Sequence, residues 1–489
     1  FNFMVAAKRV WLVATMNTAL VLSMLSNGHF AVLLKQLSET WALTNSQAGV
    51  VGGAYYAGYV MAVPILVTGT DVLDSRRIFL ASTLLSAVAS TAFALLANGF
   101  WTALCFRTLD GMALAGTYMP GLTVLNDRLD PTLRQRSVPF YTASFSVGAS
   151  VSYAVAGAVS SAYSWRAPFV ASAAGAMVSF ALVLVLVPAL TEKRVVDTAA
   201  VRKLLDFRPV LKHRPAMGYV CAYAGHTYEL MGFRSWAVVF LQFKGFTGGV
   251  ASGLASSCIL LGGVTTILGG EAAFHRGRRR VVLSIMAAAF VACGLVATSS
   301  SFSRWTSIVA LVAYSALVTA DSGAITTGAV THAPEGRRGG TLAVHSVIGF
   351  GGGSLGAALG GVVLDLAGGK GSSVAWTALW VSNGAMAFAI SFILRFLGCH
   401  DTCCRVVSRP PASDLPDRES GVDDDDGVEL LAQPDVDAET EDGVEMVSPP
   451  DVVVEKEEVG SKLEDSLERE NEASSGNKED TAPTSTDRE

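Results

Sequence analysis

Long apolar runs separated by short polar turns dominate the first four-fifths of the chain. Runs of about 18 to 27 residues lie near 10–34, 46–68, 78–98, 100–125, 138–161 and 166–188, and six more lie near 215–242, 248–270, 280–299, 305–331, 341–366 and 374–398. A helix rises about 1.5 Å per residue, so roughly 20 apolar residues cross a hydrocarbon core about 30 Å thick. The pattern therefore predicts an all-α membrane protein with twelve transmembrane helices. Glycine-rich stretches at 49–59, 148–158 and 349–361 sit inside these runs, where small residues let helix backbones approach closely. From about residue 405 onward the chain has no apolar run.

Charge divides the chain in two. Residues 405–489 hold 27 Asp and Glu against 8 Lys and Arg, so the rest is net basic and the overall −6 describes neither part. The tail 399–489, with Asp423 to Asp426 in one run, reads as a disordered acidic cytoplasmic segment, open to a cytoplasmic partner and repelled by anionic lipid. Lys and Arg also set the orientation. Lys8, Arg9, Arg76, Arg77, Arg128, Arg134, Arg136, the stretch 193–214, Arg276, Arg278 to Arg280, Arg337 and Arg338 fall on one side, and little beyond Lys35, Lys244, Arg304 and Lys370 falls on the other. The positive-inside rule then puts both termini in the cytoplasm, in a plasma membrane or an organelle membrane.

Spacing shows an internal repeat. The turn at 71–77 recurs at 274–280, Arg134 and Arg136 recur as Arg337 and Arg338, and the small-residue run at 146–159 recurs at 346–363, at offsets of about 200 to 204 residues. The chain reads as two pseudo-symmetric six-helix halves, 1–190 and 215–398, joined by a basic, partly amphipathic cytoplasmic linker at 191–214. Duplicated halves around a polar site are the general plan of alternating-access carriers. The seven cysteines form no disulfide framework: Cys105, Cys221, Cys258 and Cys293 are isolated in apolar runs, and Cys399, Cys403 and Cys404 cluster past the last run, where S-acylation suits them better than a metal. The sequence shows no phosphate-binding G-x-x-x-x-G-K-[ST] loop, cofactor signature, metal motif or nucleophile–base pair, which sets aside an ATP-driven pump and an enzyme. It carries no N-x-[ST] sequon and no nucleic-acid signature, and monomer is the default. The chain begins at Phe1, so an upstream targeting segment stays open.

Candidate chemistry centres on Pro215 to Phe243, a span that carries His226, Glu229 and Arg234 inside it. Each charge near the middle of a span costs on the order of 3 kcal/mol on insertion scales, so three of them require partners or a polar lining. His226 and Glu229 lie about 60° apart around the helix, and Arg234 about 140° from Glu229, so Arg234 faces a different neighbour. Arg107 and Asp110 in the fourth span reach overlapping depths from the other half. Guanidinium groups of Arg107 and Arg234, with Asp110, suit bidentate capture of a carboxylate or other oxyanion between the halves. His226 and Glu229 suit a proton carrier, with Asp321 in the tenth span as a second acid. The competing reading pairs Arg107 with Asp110, and Arg234 with Glu229, as polar knots that only hold helices together. His29 and His345, near span ends, read as interfacial or packing residues, and Tyr55, Tyr56 and Tyr59 as pore-lining, interface or helix-contact residues.

Four stretches together resemble the major facilitator superfamily, over about residues 8–398. GTDVLDSRR at 69–77 resembles its signature between helices 2 and 3, with Asp74 where the family's Gly would stand. GEAAFHRGRR at 270–279 is its second-half counterpart, with Phe274 at the usual Asp. RTLDGMALAGTYMPG at 107–121 resembles the helix-4 segment, and SWRAPF at 164–169 the Trp-Arg before helix 6. Helix 5 lacks the Gly-Pro of the drug/proton antiporters. YAGHTYELMGFRSW and TADSGAITTGAV resemble a bacterial branch of the superfamily. The resemblance implies a gating loop built from Gly69, Asp71, Asp74, Arg76 and Arg77, with Gly277 and Arg278 as counterparts. It implies a secondary transporter of a small organic solute, for which the charges above favour an organic anion with proton coupling. A rival reading is a non-transporting sensor or scaffold that signals through its acidic tail.

Overall fold

A lipid interior offers backbone amides no water, so a chain of apolar runs must satisfy them within helices. The computed structural model describes residues 2–70, 73–190 and 206–397, and among these it shows helices and turns with no strand. The first half comprises α1 (Asn2–Ser23), α2 (His29–Thr40), α3 (Asn45–Gly69), α4 (Ser75–Leu96), α5 (Phe100–Arg128), α6 (Pro131–Ala162) and α7 (Ala167–Leu186). The second comprises the short α8 (Arg208–Lys212), then α9 (Arg214–Phe243), α10 (Gly248–Arg276), α11 (Arg278–Ser299), α12 (Arg304–Ala320), α13 (Ser322–Thr331), α14 (Arg338–Leu366), α15 (Ser373–Ser391) and α16 (Ile393–Leu397). The chain divides into two units, Phe1–Pro411 and Ala412–Glu489; the second lies outside the described residues, as do most of the linker and Cys399, Cys403 and Cys404.

Nine helical stretches among the described residues are long and apolar enough to cross a membrane on composition alone. The other three expected spans are α1 with α2, α5, and α9, which carry the buried His29, Arg107, Asp110, His226, Glu229 and Arg234. Two expected continuous spans are broken. The first turns at 24–28 between α1 and α2, and the tenth at Asp321 between α12 and α13.

The two halves meet along two seams related by the repeat. In one, α14 packs on α3, with Ser354 Oγ donating to Gly53 O at 2.9 Å; within the second half α14 also packs on α9, where Trp236 Nε1 donates to Ala357 O at 3.0 Å. A Cβ on Gly356 would strike the Tyr228 backbone, so the α9–α14 approach requires glycine there. In the other seam α6 packs on α10, with Ser150 Oγ on Ser256 O at 2.9 Å and Ser256 Oγ on Ser150 O at 2.8 Å.

At the bundle end opposite the arginine-rich turns, Asp365 near the close of α14 clamps the start of α3. Its carboxylate accepts from the Asn45 N–H and side-chain amide and from the Ser46 N–H and hydroxyl, at 2.6 to 3.1 Å. The two backbone donors are first-turn groups of α3 that lack helical partners. Asp365→Ala is expected to speed deuterium exchange at Asn45 and Ser46 about fivefold, equivalent to about 1 kcal/mol for an exposed charge-assisted contact. Unchanged exchange there in a peptide-resolved experiment counts against the clamp.

Candidate functional site

A cavity of about 570 Å³ lies between the halves, walled by α5, α6, α9, α10, α13 and α14. At 100° per residue, Tyr223, His226, Thr227, Leu230, Met231 and Arg234 share one broad face of α9, and all six line the cavity. Glu229 falls on the far side of the helix and does not. The cavity reaches the basic end of the bundle at the exposed Thr142 and Thr327. Beyond Arg234, toward the clamped end, lies a gap of about 10 Å³, room for one water at most.

Arg234 is 3% exposed, and its Nε and Nη1 have no hydrogen-bond partner. Among the described residues it forms no ion pair. The expected knot with Glu229 is not formed, because the two side chains leave opposite faces of α9. Tyr153 on α6 donates its hydroxyl to Arg234 O at 2.6 Å, which fixes the backbone and leaves the guanidinium free. Arg107 is arranged differently. Its Nη1 donates to Ser26 O at 2.9 Å and its Nη2 to Asn27 O at 3.4 Å, both carbonyls of the break between α1 and α2. Asp110 lies 3.5 Å away within α5, Ser86 Oγ donates to Asp110 at 2.8 Å, and the Tyr55 ring lies 4.3 Å beneath the Arg107 guanidinium. Arg107 and Asp110 therefore sit together in a buried cluster that lines the small gap and not the cavity.

His226 finds its partner across the helix interface. Its Nδ1 lies 2.8 Å from Asp321 Oδ1, at ion-pair distance though out of hydrogen-bond alignment, and both residues are 2% exposed. Asp321 stands at the α12–α13 break, where the interruption brings its side chain to α9. Glu229 lies in the interior of the second half: its backbone carbonyl accepts from Asn383 Nδ2 at 3.2 Å, and the same amide nitrogen reaches Tyr314 Oη at 3.2 Å.

The sequence reading missed a ring ladder. Tyr223 stacks on His226 at 5.6 Å and on His345 at 3.8 Å, and His345 Nε2 lies 3.2 Å from Thr326 Oγ1. His345 is thus a cavity residue, not an end-of-span packing residue. Leu342, His345, Ser346 and Phe350 recur at helical spacing along α14 and all line the cavity, a periodicity the sequence carries. His29 is a packing residue, bonded through Nδ1 to Ser172 Oγ at 2.8 Å and set edge-on to Phe169. Tyr55 supports Arg107, whereas Tyr56 and Tyr59 pack on Phe350.

In the expected gating loop, Asp71 lies outside the described residues. Asp74 caps α4, pairs with Arg128 at 2.8 Å and accepts from Leu190 N at 3.1 Å, while Arg76 Nη2 donates to Leu184 O at 2.7 Å. These contacts tie α4, α5 and the end of α7 within the first half. Gly69 ends α3, and Arg77 is exposed. Gly277 has φ 91°, a conformation that favours glycine, and forms the corner between α10 and α11; Arg278 Nη1 donates to Thr331 Oγ1 at 3.3 Å.

The family model described as Major Facilitator Superfamily matches residues 16–357. No curated protein sequence matches the chain. Among solved structures, a bacterial homologue to the human lysosomal transporter Spinster is similar in its inward-facing, unoccupied conformation, with TM-score 0.64 at 14% identity over 80% of this chain and 95% of that one. Its inward-facing, occupied conformation gives TM-score 0.59 at the same identity and coverage. A mutant of nucleoside transporter NupG gives TM-score 0.64 at 14% identity over 79% of this chain and 99% of that one. At such identities the likeness is one of fold.

Burial penalises the Asp74 carboxylate, yet hydrogen bonds from Arg128, Leu190 N–H and Arg76 N–H, with the Arg128 charge, outweigh it and hold Asp74 below the usual carboxylate range. A depressed folded pKa contributes stability above the unfolded value, about 3.9, which is lost as pH falls through the folded one. Asp74→Asn is therefore expected to lower the Tm at pH 7 and to narrow the gap from wild type as the pH approaches 3. A Tm difference that is the same at both pH values would show that the carboxylate charge contributes nothing.

Proposed function

The chain belongs to the Major Facilitator Superfamily, and from that premise we propose that this secondary transporter carries a small organic anion coupled to protons. The observation that carries the reading is Arg234: a guanidinium buried on the wall of an open cavity, with two nitrogens lacking partners. A buried cation without a counter-charge costs several kcal/mol, and a carboxylate bound in bidentate fashion supplies both the charge and the missing acceptors. Family membership makes the chain a multi-pass membrane transporter and not an enzyme.

The cavity supports the remaining roles. With the basic end cytoplasmic, as the positive-inside rule has it, both termini are cytoplasmic and the conformation is inward-facing. A solute entering between Thr142 and Thr327 meets the Tyr223–His345 stack, then His226, and about 12 Å further along α9 it meets Arg234. Arg107 stands behind the closed end, held by the α1–α2 break, and would become accessible when the halves rock and the Asp365 clamp opens. The proton is assigned to the His226–Asp321 pair, because His226 lines the cavity and Asp321 stands 2.8 Å behind it. Glu229 supports the packing of the second half. Protonating the pair adds one positive charge, which binds the anion more firmly and couples the two fluxes.

Proteoliposomes with an imposed pH gradient test this against a panel of organic acids. Arg234→Lys keeps the charge but loses the planar fork, and is expected to weaken anion affinity at least about tenfold, the equivalent of one charge-assisted hydrogen bond. Unaltered affinity would remove the anion assignment. In the same assay Asp321→Asn is expected to retain exchange and lose accumulation, whereas Glu229→Gln retains both. The reverse pattern, with accumulation lost only in Glu229→Gln, would move the proton to Glu229.

A further inference from the structure

A second concavity lies away from the transport path, on the membrane-facing side of the basic end. It is a groove of about 650 Å³ between the start of α11 and α16, lined by Arg279, Arg280, Arg395, Leu283, Ser284, Ala287 and Phe396. Among the described residues its lining includes three arginines and no acid. Arg279 Nη2 donates to Arg395 O at 2.7 Å, and among the described residues none of the three arginines pairs with a carboxylate. Two of these arginines begin a helix, where the backbone dipole disfavours cations, so their placement does not stabilise α11.

Polarity changes along the groove. Positions 279, 280, 283, 284 and 287 form one face of α11 and descend about 12 Å from the helix end into the membrane. The lining passes from arginine through a serine hydroxyl to Leu283 and Ala287, with Phe396 75% exposed beside it. Further along α11, Val291 and Leu295 are 63% and 55% exposed, so the groove opens onto apolar surface suited to acyl chains. The positive-inside rule accounts for basic residues at this end of the bundle. It does not account for three of them converging on a trough whose floor turns apolar.

We propose that this groove is a binding site for an anionic phospholipid, its phosphate held by Arg279, Arg280 and Arg395 and one acyl chain laid over Leu283, Ala287 and Phe396. A free inorganic anion would engage only the mouth, and an acidic peptide would leave the apolar floor uncovered. An amphiphile with a negative head matches both parts.

The full-length chain, delipidated in a neutral detergent, is titrated with phosphatidylglycerol or phosphatidylcholine, and binding is read by native mass spectrometry and by the shift in Tm. Selective binding of phosphatidylglycerol is expected. Arg279→Gln, Arg280→Gln and Arg395→Gln should each weaken it roughly fivefold, the effect of one basic residue near an anionic surface. Arg395→Lys should weaken it less than Arg395→Gln, which separates lost charge from lost fold. Ala287→Trp fills the trough and should weaken phosphatidylglycerol without affecting any binding of inorganic phosphate. Equal binding of the two lipids, or full displacement by inorganic phosphate at matched concentration, would overturn the proposal. So would arginine variants that bind phosphatidylglycerol normally but expose the acidic tail to protease, an outcome that would assign the groove to residues 405–489.

Discussion

A guanidinium buried in a membrane-spanning bundle must meet oxygen, from the protein or from what the protein carries. The two arginines facing the junction of the halves meet this demand in opposite ways. Arg107 is supplied by carbonyls that the break in the first span releases: an intact helix would have used Ser26 O and Asn27 O for its own ladder. The break in turn is tolerable because Arg107 takes the freed carbonyls and Ser152 Oγ accepts from Gly28 N at 2.8 Å. Each defect makes the other possible. Arg234 has no such supply, and it alone of the two faces open volume.

The halves repeat each other in helix order and seams but not in chemistry. In the first half Arg107 and Asp110 are held together, with Ser86 on Asp110 and the Tyr55 ring beneath Arg107. In the second half α9 separates its polar residues by face. His226 and Arg234 look into the cavity, while Glu229 is placed with Tyr314 and Asn383 in the interior. The broken tenth span serves the cavity as the broken first span serves the cluster, since the interruption delivers Asp321 to His226.

The bundle ends differ as sharply as the halves. At one end Asp365 joins the halves by hydrogen bonds to the start of α3, so the contact must part if that end opens. At the other, Asp74 and Arg76 fasten helices of the same half, so these contacts place no tie between the halves there. The basic groove at α11 faces away from both, and its position links the carrier to the lipid around it and not to the solute path.

The architecture was legible in the sequence because bilayer thickness dictates run length and because the basic turns repeat at a fixed offset. The family likeness rested on the same turns. Among site residues, the sequence pointed to Arg107, Asp110, His226, Glu229, Arg234 and Asp321, since ionisable groups inside apolar runs are conspicuous whatever their role. Helical angles also determined that Arg234 and Glu229 diverge. Which charges are satisfied was decided only by tertiary structure. Arg107 draws its partners from a break that composition does not announce, and His226 meets Asp321, some 95 positions along the chain, instead of Glu229 one turn away. His345 was misread because its depth was judged from distance to a span end, when its role depends on stacking against Tyr223 from another helix. Local pattern sets what a residue costs to bury; only the packing of helices remote in sequence determines what it is buried against.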